Sequence, residues 1–286
     1  MNRDRLARWV EGATPPALLP GVRRLAHPGR RRAAPEWEHV PEGWRRGAVD
    51  LRGWDDPGIA DAYRTKLDAY RAALGGTAPL AYASSPALDV GSANVADQNT
   101  LLAFAHALLV ASWGKSHVSV LDWGGGLGYH AFVARAALPE TVELEYHCRD
   151  LARICELGRD VVPEVTFWDD DECFERRYDL VLASSALQYV EDWRTTLGRL
   201  AAAASDALFL TRVPIVVEHP SFVVLQRAHG YRFESEYLSW VFNRDELLGA
   251  ARDAGVDVVR EFVLGFRPHV VGAPEQDETW AYLFRR

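Results

Sequence analysis

Cysteine is scarce in this chain, and its three cysteines are poorly placed for cross-linking or metal binding. Cys148, Cys155 and Cys173 form no C-x-x-C pair, and three is an odd number. Neither a disulfide framework nor a zinc site follows from these cysteines, and no metal site is predicted. Free, mostly buried thiols are typical of proteins in a reducing compartment, so a cytoplasmic location is expected.

Long hydrophobic runs are also missing. Residues 1–5 lack the apolar core of a signal peptide. The most apolar stretch, residues 101–113, is too short to cross a bilayer and contains His106. The sequence therefore predicts a soluble intracellular protein without a membrane partner.

The chain also lacks an excess of basic residues. It has 32 Lys and Arg residues and 40 Asp and Glu residues, which gives a net charge of −8. Nonspecific nucleic-acid binding needs a basic footprint, so a small-molecule substrate or a protein side chain fits better than nucleic acid. One basic cluster leaves open the alternative of an arm that binds nucleic acid, although such runs are usually solvated or disordered. It comprises Arg23, Arg24, Arg30, Arg31 and Arg32.

The sequence does contain a regular alternation of strand and helix patterns. Five alternating strand–helix units predict an α/β fold with a doubly wound, mostly parallel sheet. The predicted strands are residues 116–122, 142–149, 165–168, 178–183, 207–211, 256–264 and 279–284. The predicted helices are residues 57–74, 99–113, 129–137, 151–160, 193–204 and 236–254.

The region before this alternation has a different character. Residues 1–50 are rich in Pro, Arg and Gly, with only a short helical pattern at residues 3–10. The region also contains or adjoins three tryptophans, Trp37, Trp44 and Trp54. Large aromatic side chains in a poorly periodic segment usually anchor that segment onto a neighbouring domain. We therefore predict a helical and irregular N-terminal extension, residues 1–98, and a main domain, residues 99–286.

A glycine-rich turn with an acidic residue at its start follows the first strand. It reads Asp122-Trp123-Gly124-Gly125-Gly126-Leu127-Gly128. Glycines allow a tight turn and a close approach to a ligand that a Cβ would obstruct. Dinucleotide sites use G-x-G-x-x-G, whereas here Tyr129 occupies the position of the last glycine of that pattern. In addition, Asp122 would repel a pyrophosphate. The turn favours a cationic or amine-bearing ligand, such as S-adenosyl-L-methionine (SAM).

This turn resembles motif I of class I SAM-dependent methyltransferases. The similarity continues through residues 184–189 (SSALQY) and 210–214 (LTRVP), and it covers roughly residues 95 to 215. The combination resembles a subgroup with a DxGGGLG motif I and an SxALQY segment after strand four. The resemblance implies a Rossmann-like methyltransferase sheet with an antiparallel last strand and SAM as the cofactor. It also implies that four glycines lie under the methionine part and ribose of SAM, namely Gly124, Gly125, Gly126 and Gly128, and that Asp122 acts through ordered water or by holding the loop.

Acidic residues follow the second and third predicted strands. Asp150 comes 22 residues after Gly128, a distance at which a carboxylate can accept hydrogen bonds from both ribose hydroxyls of an adenosine. The alternative is a helix cap, because Asp150 immediately precedes a helical pattern. Asp169 is the acid nearest the third strand, where the resemblance implies a bond to the adenine amine; the alternative is an acidic solvated loop.

Small and polar residues at two further positions complete the predicted donor site. Ser184, after the fourth strand, leaves room for the adenosyl group, while Gln188 and Tyr189 could face the methyl donor or acceptor. The alternative for Tyr189 is packing into the core. Gln98 and Asn99, at the start of a predicted helix, could meet the methionine carboxylate of SAM, or they could simply cap the helix.

Candidate acceptor-side residues lie past the fifth strand. His219 is the best candidate for a general base, although a lone histidine is more often structural or solvated. Arg212 could bind an acidic substrate group or pair with a local carboxylate. No Asn-Pro-Pro-Tyr-type sequence follows the fourth strand, which disfavours methylation of an amide or a base amine.

The favoured hypothesis is a SAM-dependent methyltransferase that acts on a hydroxyl or carboxylate of a small molecule, with residues 1–98 covering the site. A methyltransferase-like fold used as a noncatalytic binding or regulatory partner is the alternative, since fold does not dictate activity. A nicotinamide-dependent oxidoreductase is disfavoured by Asp122 and Tyr129.

Overall fold

A computed structural model describes residues 34–45, 54, 57–80, 93–227 and 235–286. The chain divides into a small unit, Met1–Pro35, and a large one, Glu36–Arg286, to which nearly all described residues belong. The helix predicted at residues 3–10 and the basic cluster near the N-terminus lie outside the described residues.

The described part of the chain forms six α-helices. Two of them, α1 and α3, have the predicted bounds. The helices are α1 Pro57–Leu74, α2 Val95–Ser112, α3 Tyr129–Ala137, α4 Ala152–Val161, α5 Trp193–Ala203 and α6 Arg244–Asp253. α2 begins four residues earlier than predicted, because the Asn94 side chain accepts a hydrogen bond from the Asp97 N–H and caps the helix there.

The strands form one mixed sheet whose central part is parallel. The described strands are β1 Trp37–His39, β2 His117–Trp123, β3 Glu143–Arg149, β4 Thr166–Trp168, β5 Tyr178–Ser184, β6 Ala204–Val216, β7 Phe222–Arg227, β8 Glu236–Asn243, β9 Asp257–Val263 and β10 Glu278–Arg285. β4, β3, β2, β5 and β6 lie side by side and parallel. β10 runs antiparallel to β6, and β9 runs antiparallel to β10. The predicted fold class, a Rossmann-like sheet with an antiparallel last strand, is confirmed.

Apolar side chains on both faces of the sheet hold the helices in place. Successive side chains of a strand point to opposite faces, so Leu180 and Leu182 join one buried cluster while Val181 and Ala183 join another. The first cluster packs beneath α1, α2, α3 and α4, and the second beneath α5 and α6. β5 is therefore covered on both faces, as a continuous apolar run predicts.

The prediction of one helix over residues 236–254 was wrong in its first half. Residues 236–243 form β8, and only α6 is helical. Tyr237, Leu238, Val241 and Phe242 are all buried, and a strand covered on both faces lacks the alternation that distinguishes it from a helix. The Asn243 side chain then starts α6 by accepting hydrogen bonds from two N–H groups of its first turn.

A small antiparallel ribbon that the sequence did not predict extends the sheet beyond β6. β8 pairs with β7, and β7 pairs with β1, which lies in the segment predicted to be an N-terminal extension. β6 is longer than predicted, and its last residues, Ile215 and Val216, pair in parallel with β8. The ribbon thus continues the sheet past the ends of the parallel strands, on the side of β6.

The three cysteines are free and buried, as predicted. Burial raises the pKa of the Cys155 thiol to about 12 and that of Cys173 to about 11, so both stay protonated at neutral pH. No group of metal-binding side chains occurs among the described residues. None of the described helices has the length and hydrophobicity that a bilayer crossing requires.

A buried carboxyl just before β10 makes stability depend on pH. Burial raises the pKa of Asp277 to about 7, and Oδ1 has no hydrogen-bond partner among the described residues. Because the folded state holds this proton more tightly than the unfolded chain, the stabilisation is complete below about pH 4 and is lost as pH rises through about 7. In thermal unfolding, the melting temperature of the wild type should fall between pH 5 and pH 8. We expect Asp277→Asn to make that fall smaller. An unchanged difference between the two pH values would contradict this assignment.

Candidate functional site

A cavity opens at the carboxyl ends of β2, β3 and β5, where ligands bind in open α/β sheets, and beside Arg212 within β6. Its wall combines backbone from the glycine turn with aromatic and charged side chains. The lining residues are Trp54, Ile59, Tyr63, Trp123, Gly124, Gly125, Gly126, Tyr129, His130, Arg149, Asp150, Leu151, Ile154, Ser184, Ser185, Ala186, Tyr189, Val190, Arg212 and Gln226.

The glycine turn is a close-packed cradle that larger residues would not fit. A Cβ on Gly124, which has φ +74°, would lie 2.5 Å from the Ala186 Cβ. A Cβ on Gly125 would lie 2.5 Å from the Asp122 carboxylate. Gly128, at φ +71°, precedes α3 and packs against Val165 instead of lining the cavity. The turn therefore presents bare backbone to the cavity.

Asp122 lies under this cradle and does not line the cavity. Its side chain is fully buried, and its Oδ2 accepts a hydrogen bond of 2.9 Å from the Tyr146 hydroxyl and lies 3.3 Å from His130 Nδ1. His130 does line the cavity. Asp122 thus packs against Gly125 and orients His130, so its influence on a ligand is indirect.

Asp150 stands on the cavity wall and is tied to the glycine turn. Its Oδ2 accepts a hydrogen bond of 2.8 Å from the Gly126 N–H, and its Oδ1 accepts one of 2.7 Å from the Leu151 N–H. α4 has no side-chain cap, so capping is not the role of Asp150. Burial raises the pKa of its carboxyl, although both backbone donors oppose the shift. Each carboxylate oxygen keeps a further lone pair for a ligand hydroxyl.

Three more predicted site residues, besides Asp122 and Gly128, make contacts elsewhere and do not line the cavity. Asp169 forms an ion pair with Arg159, with 3.0 Å between Oδ1 and the guanidinium. Gln98 lies inside α2 rather than at its start, and its Nε2 donates to the Leu80 carbonyl. His219 packs edge-on against a phenylalanine on the ribbon.

Ser184, predicted at the donor site, lines the cavity, as do Tyr189 and Arg212, which were predicted at the acceptor side. Gln188 lies behind them. Gln188 is buried, and its Nε2 donates to the Ser185 hydroxyl at 3.0 Å and to the Arg212 carbonyl at 3.3 Å. Ser185 and Arg212 have φ of 51° and 57°, a left-handed conformation that costs non-glycine residues energy. Such strain is concentrated at functional sites, and here both strained residues face the cavity.

Sequence reasoning missed several residues of the wall. Trp54, Ile59 and Tyr63 come from the N-terminal region, and Gln226 comes from a ribbon strand that was not predicted. Tyr129 and His130 directly follow the glycine turn, and their position next to it was the one sequence signal that could have identified them as wall residues. Tyr129 donates a hydrogen bond from its hydroxyl to the Tyr63 carbonyl, which fastens α1 to α3.

The chemistry of the donor end fits an adenosyl ligand such as SAM. The cradle around Gly124 and Gly125 admits a ligand close to bare backbone, and Asp150 supplies carboxylate oxygens beside it. Leu151 and Ile154 add apolar wall next to Asp150. A nucleoside needs hydroxyl acceptors and an apolar slot of this kind, whereas a pyrophosphate would be repelled by Asp150.

Comparison with known proteins gives a family match. A family model described as a methyltransferase domain matches residues 95–261, which is more than half of the chain. No curated protein matches the sequence significantly.

Similar solved structures are distant in sequence. The CcbJ methyltransferase from Streptomyces caelestis is 15% identical, with a TM-score of 0.44, 64% of this chain and 88% of that chain covered. The 1,6-didemethyltoxoflavin-N1-methyltransferase from Burkholderia thailandensis is 18% identical, with a TM-score of 0.42 and coverage of 70% and 93%. Magnesium protoporphyrin IX methyltransferase from Synechocystis PCC 6803 is 14% identical, with a TM-score of 0.42 and coverage of 80% and 98%. On the family match, the chain belongs to the methyltransferase domain family, and it is a SAM-dependent enzyme of class I fold.

Proposed function

We propose that this enzyme methylates an oxygen atom, a hydroxyl or a carboxylate, of a small molecule. One observation carries the proposal: a single cavity joins the nucleoside-type donor end at Asp150 to a polar and aromatic acceptor end at Arg212 and Tyr189. SAM, when bound, supplies a methyl group on a positively charged sulfur. The DxGGGLG and SxALQY segments are our grounds for placing the chain in the subgroup they define.

The chain's own residues have three tasks in this reaction. Asp150 and the glycine cradle hold the nucleoside, and the strained backbone at Ser185 and Arg212 fixes the acceptor end. Residues of the N-terminal region, among them Trp54 and Tyr63, close the wall and exclude water. Placing the acceptor in line with the methyl group supplies most of the rate, because such orientation alone can lower a barrier by about 7–11 kcal/mol.

The ionisable side chains that line the cavity favour an acceptor that is already ionised. His219 does not line the cavity, and the histidine that does, His130, lies against Asp122 at the donor end. A carboxylate or an acidic hydroxyl needs no base, because it carries no proton at neutral pH. The three free thiols agree with a reducing, cytoplasmic location.

The proposal is tested with methyl-labelled SAM, the purified enzyme and a small-molecule extract. We expect label to enter a compound of low mass that organic solvent extracts. Base treatment then separates a methyl ester, which releases labelled methanol, from a methyl ether, which does not. Label found in protein or nucleic acid, or no transfer by enzyme that binds SAM, would contradict the proposal and favour a noncatalytic role.

A second prediction concerns His130 and the amino-acid part of the donor. With the ribose at Asp150 and the adenine against Leu151 and Ile154, the amino-acid part extends across the glycine cradle toward His130. We expect His130→Ala to weaken binding of S-adenosylhomocysteine (SAH) about tenfold, the cost of a hydrogen bond to a charged group. Binding of methylthioadenosine, which lacks that part, should change little. Equal losses for the two ligands in calorimetric titrations would refute this placement.

A further inference from the structure

The outer face of α2 is apolar, although helices on a protein surface normally turn charged residues outward. Asp97 is the one acidic residue among the 18 residues of α2, and none of them is Lys or Arg. The inner face of the helix is buried in the first apolar cluster through Phe104, Ala107 and Leu108. A helix that is apolar all round is typical of an element that is covered on both sides.

Four large apolar side chains lie in a row on that outer face. They are Val95, Leu102, Leu109 and the C-cap residue Trp113, and each is between 55% and 78% exposed. Together they expose roughly 600 Å² of apolar surface, the upper end of the range for a single patch on a monomeric protein. Two such faces packed together bury about 1,200 Å², the size at which specific protein interfaces begin.

The spacing of these side chains is that of a seam between two helices. Together with Asn99 and His106, they follow one another at intervals of 4, 3, 4, 3 and 4 residues, which is the heptad spacing of coiled coils. Both polar members make contacts within the chain. Asn99 Nδ2 donates to the Leu264 carbonyl at 3.2 Å, and the His106 ring packs edge-on against Phe262 at 5.4 Å. The four apolar members are the ones exposed to a partner.

The series of intervals reads the same in both directions, so the seam is complementary to itself in an antiparallel pair. Val95 then faces the partner's Trp113, and Leu102 faces the partner's His106. A parallel pair would instead set Asn99 against Asn99 and His106 against His106. Antiparallel packing also brings the positive end of each helix dipole beside the negative end of the other, which is favourable.

A membrane surface fits this face less well than a second copy of the chain. Helices that lie on membranes are rich in Lys and Arg on their polar side, which attracts anionic lipids. α2 contains neither residue, and the chain has a net charge of −8, which anionic lipids repel. An uncharged seam that is complementary to itself therefore points to a homodimer.

We propose that α2 is the dimer interface of this protein and packs antiparallel against α2 of a second copy. The symmetry is twofold, which is the commonest among soluble oligomers and closes the assembly at two chains. The residues that line the described cavity come from other segments than α2. The proposal is therefore independent of the identity of the methyl acceptor.

The oligomeric state of the full chain is the first test. By sedimentation velocity we expect a dimer at about 10 µM. Leu102→Lys places a charge in the middle of the seam and should raise the dimer dissociation constant at least about 100-fold. Lysine is a good helix former, so circular dichroism and SAH binding should stay as in the wild type.

Val217→Lys is the matched control for this variant. Val217 is 58% exposed but follows β6, so it lies off the seam, and the variant should remain a dimer. A wild type that is monomeric at about 100 µM, or a Leu102→Lys variant that dimerises as the wild type does, would overturn the proposal. A monomeric wild type that floats with phosphatidylcholine vesicles would overturn it as well and assign the face to a lipid surface.

Cysteine cross-linking tests the antiparallel register. Val95 and Trp113 lie 18 residues apart, about 27 Å along one helix, so cysteines at the two positions cannot join within one chain. The double variant Val95→Cys/Trp113→Cys should oxidise to a covalent dimer, whereas neither single variant should. The native cysteines are buried and do not compete. Covalent dimers of a single variant, which a parallel pair would give, or none of the double variant would contradict the proposed packing.

Discussion

We expect Gly125→Ala to lower the free energy of unfolding by about 2–3 kcal/mol, the cost of overpacking a closely packed site. The added Cβ would lie 2.5 Å from Asp122 Cγ and Oδ2, far inside contact distance. The carboxylate cannot retreat easily, because it is fully buried and bonded to Tyr146. Relief requires the turn itself to shift, so SAH binding should fall as well. Denaturant unfolding monitored by circular dichroism measures the first effect.

A matched glycine serves as the control for this result. Gly198 lies in the middle of α5, and a Cβ built on it meets nothing within 4 Å. Gly198→Ala should leave SAH binding unchanged and raise stability by up to about 1 kcal/mol, because alanine is the better helix former. If the two alanine variants had the same stability and the same affinity for SAH, the close packing of the cradle against Asp122 would be disproved.

Asp150→Ala should weaken SAH binding more than tenfold, which is over about 1.4 kcal/mol. The substitution removes the carboxylate that we assign to the ribose hydroxyls. It also removes the acceptor of the Gly126 and Leu151 N–H groups, which loosens the cradle. Asp150→Asn keeps one acceptor oxygen, so we expect an intermediate affinity. Calorimetric titration of the three proteins with SAH gives the order directly.

Asp169→Ala provides the comparison at the end of the next strand. Asp169 is bonded to Arg159 and does not line the cavity, and exposed ion pairs contribute little. Its loss should change SAH affinity less than about threefold. A larger loss for Asp169→Ala than for Asp150→Ala would transfer the nucleoside-binding role to the end of β4.

The parallel core of the fold was predictable because strand and helix patterns alternate clearly there. β2, β3, β4 and β5 lie within one residue of their predicted bounds. The ribbon was not predictable for a physical reason. β8 is buried on both faces, so its apolar residues follow neither the helical period nor the alternation of a half-buried strand. β1 is only three residues long.

The donor end of the site was predictable from sequence because it is local. The glycine turn and Asp150 each follow a strand, and parallel strands bring their carboxyl ends to one edge. The acceptor end depends on contacts across long separations. Trp54 and Gln226 are brought to the cavity by tertiary packing, which no spacing encodes. His219 was proposed as a base from its place after the fifth strand, but it packs against Phe222 and does not line the cavity.

Titration of the full wild-type chain with SAH tests the central claim most directly, because every role assigned to the cavity residues depends on an adenosyl ligand at the glycine cradle. We expect saturable binding at one site per chain with a dissociation constant of about 100 µM or tighter, and no binding of NADH under the same conditions. Folded protein that bound NADH, or that showed no binding of SAH at about 1 mM, would contradict it.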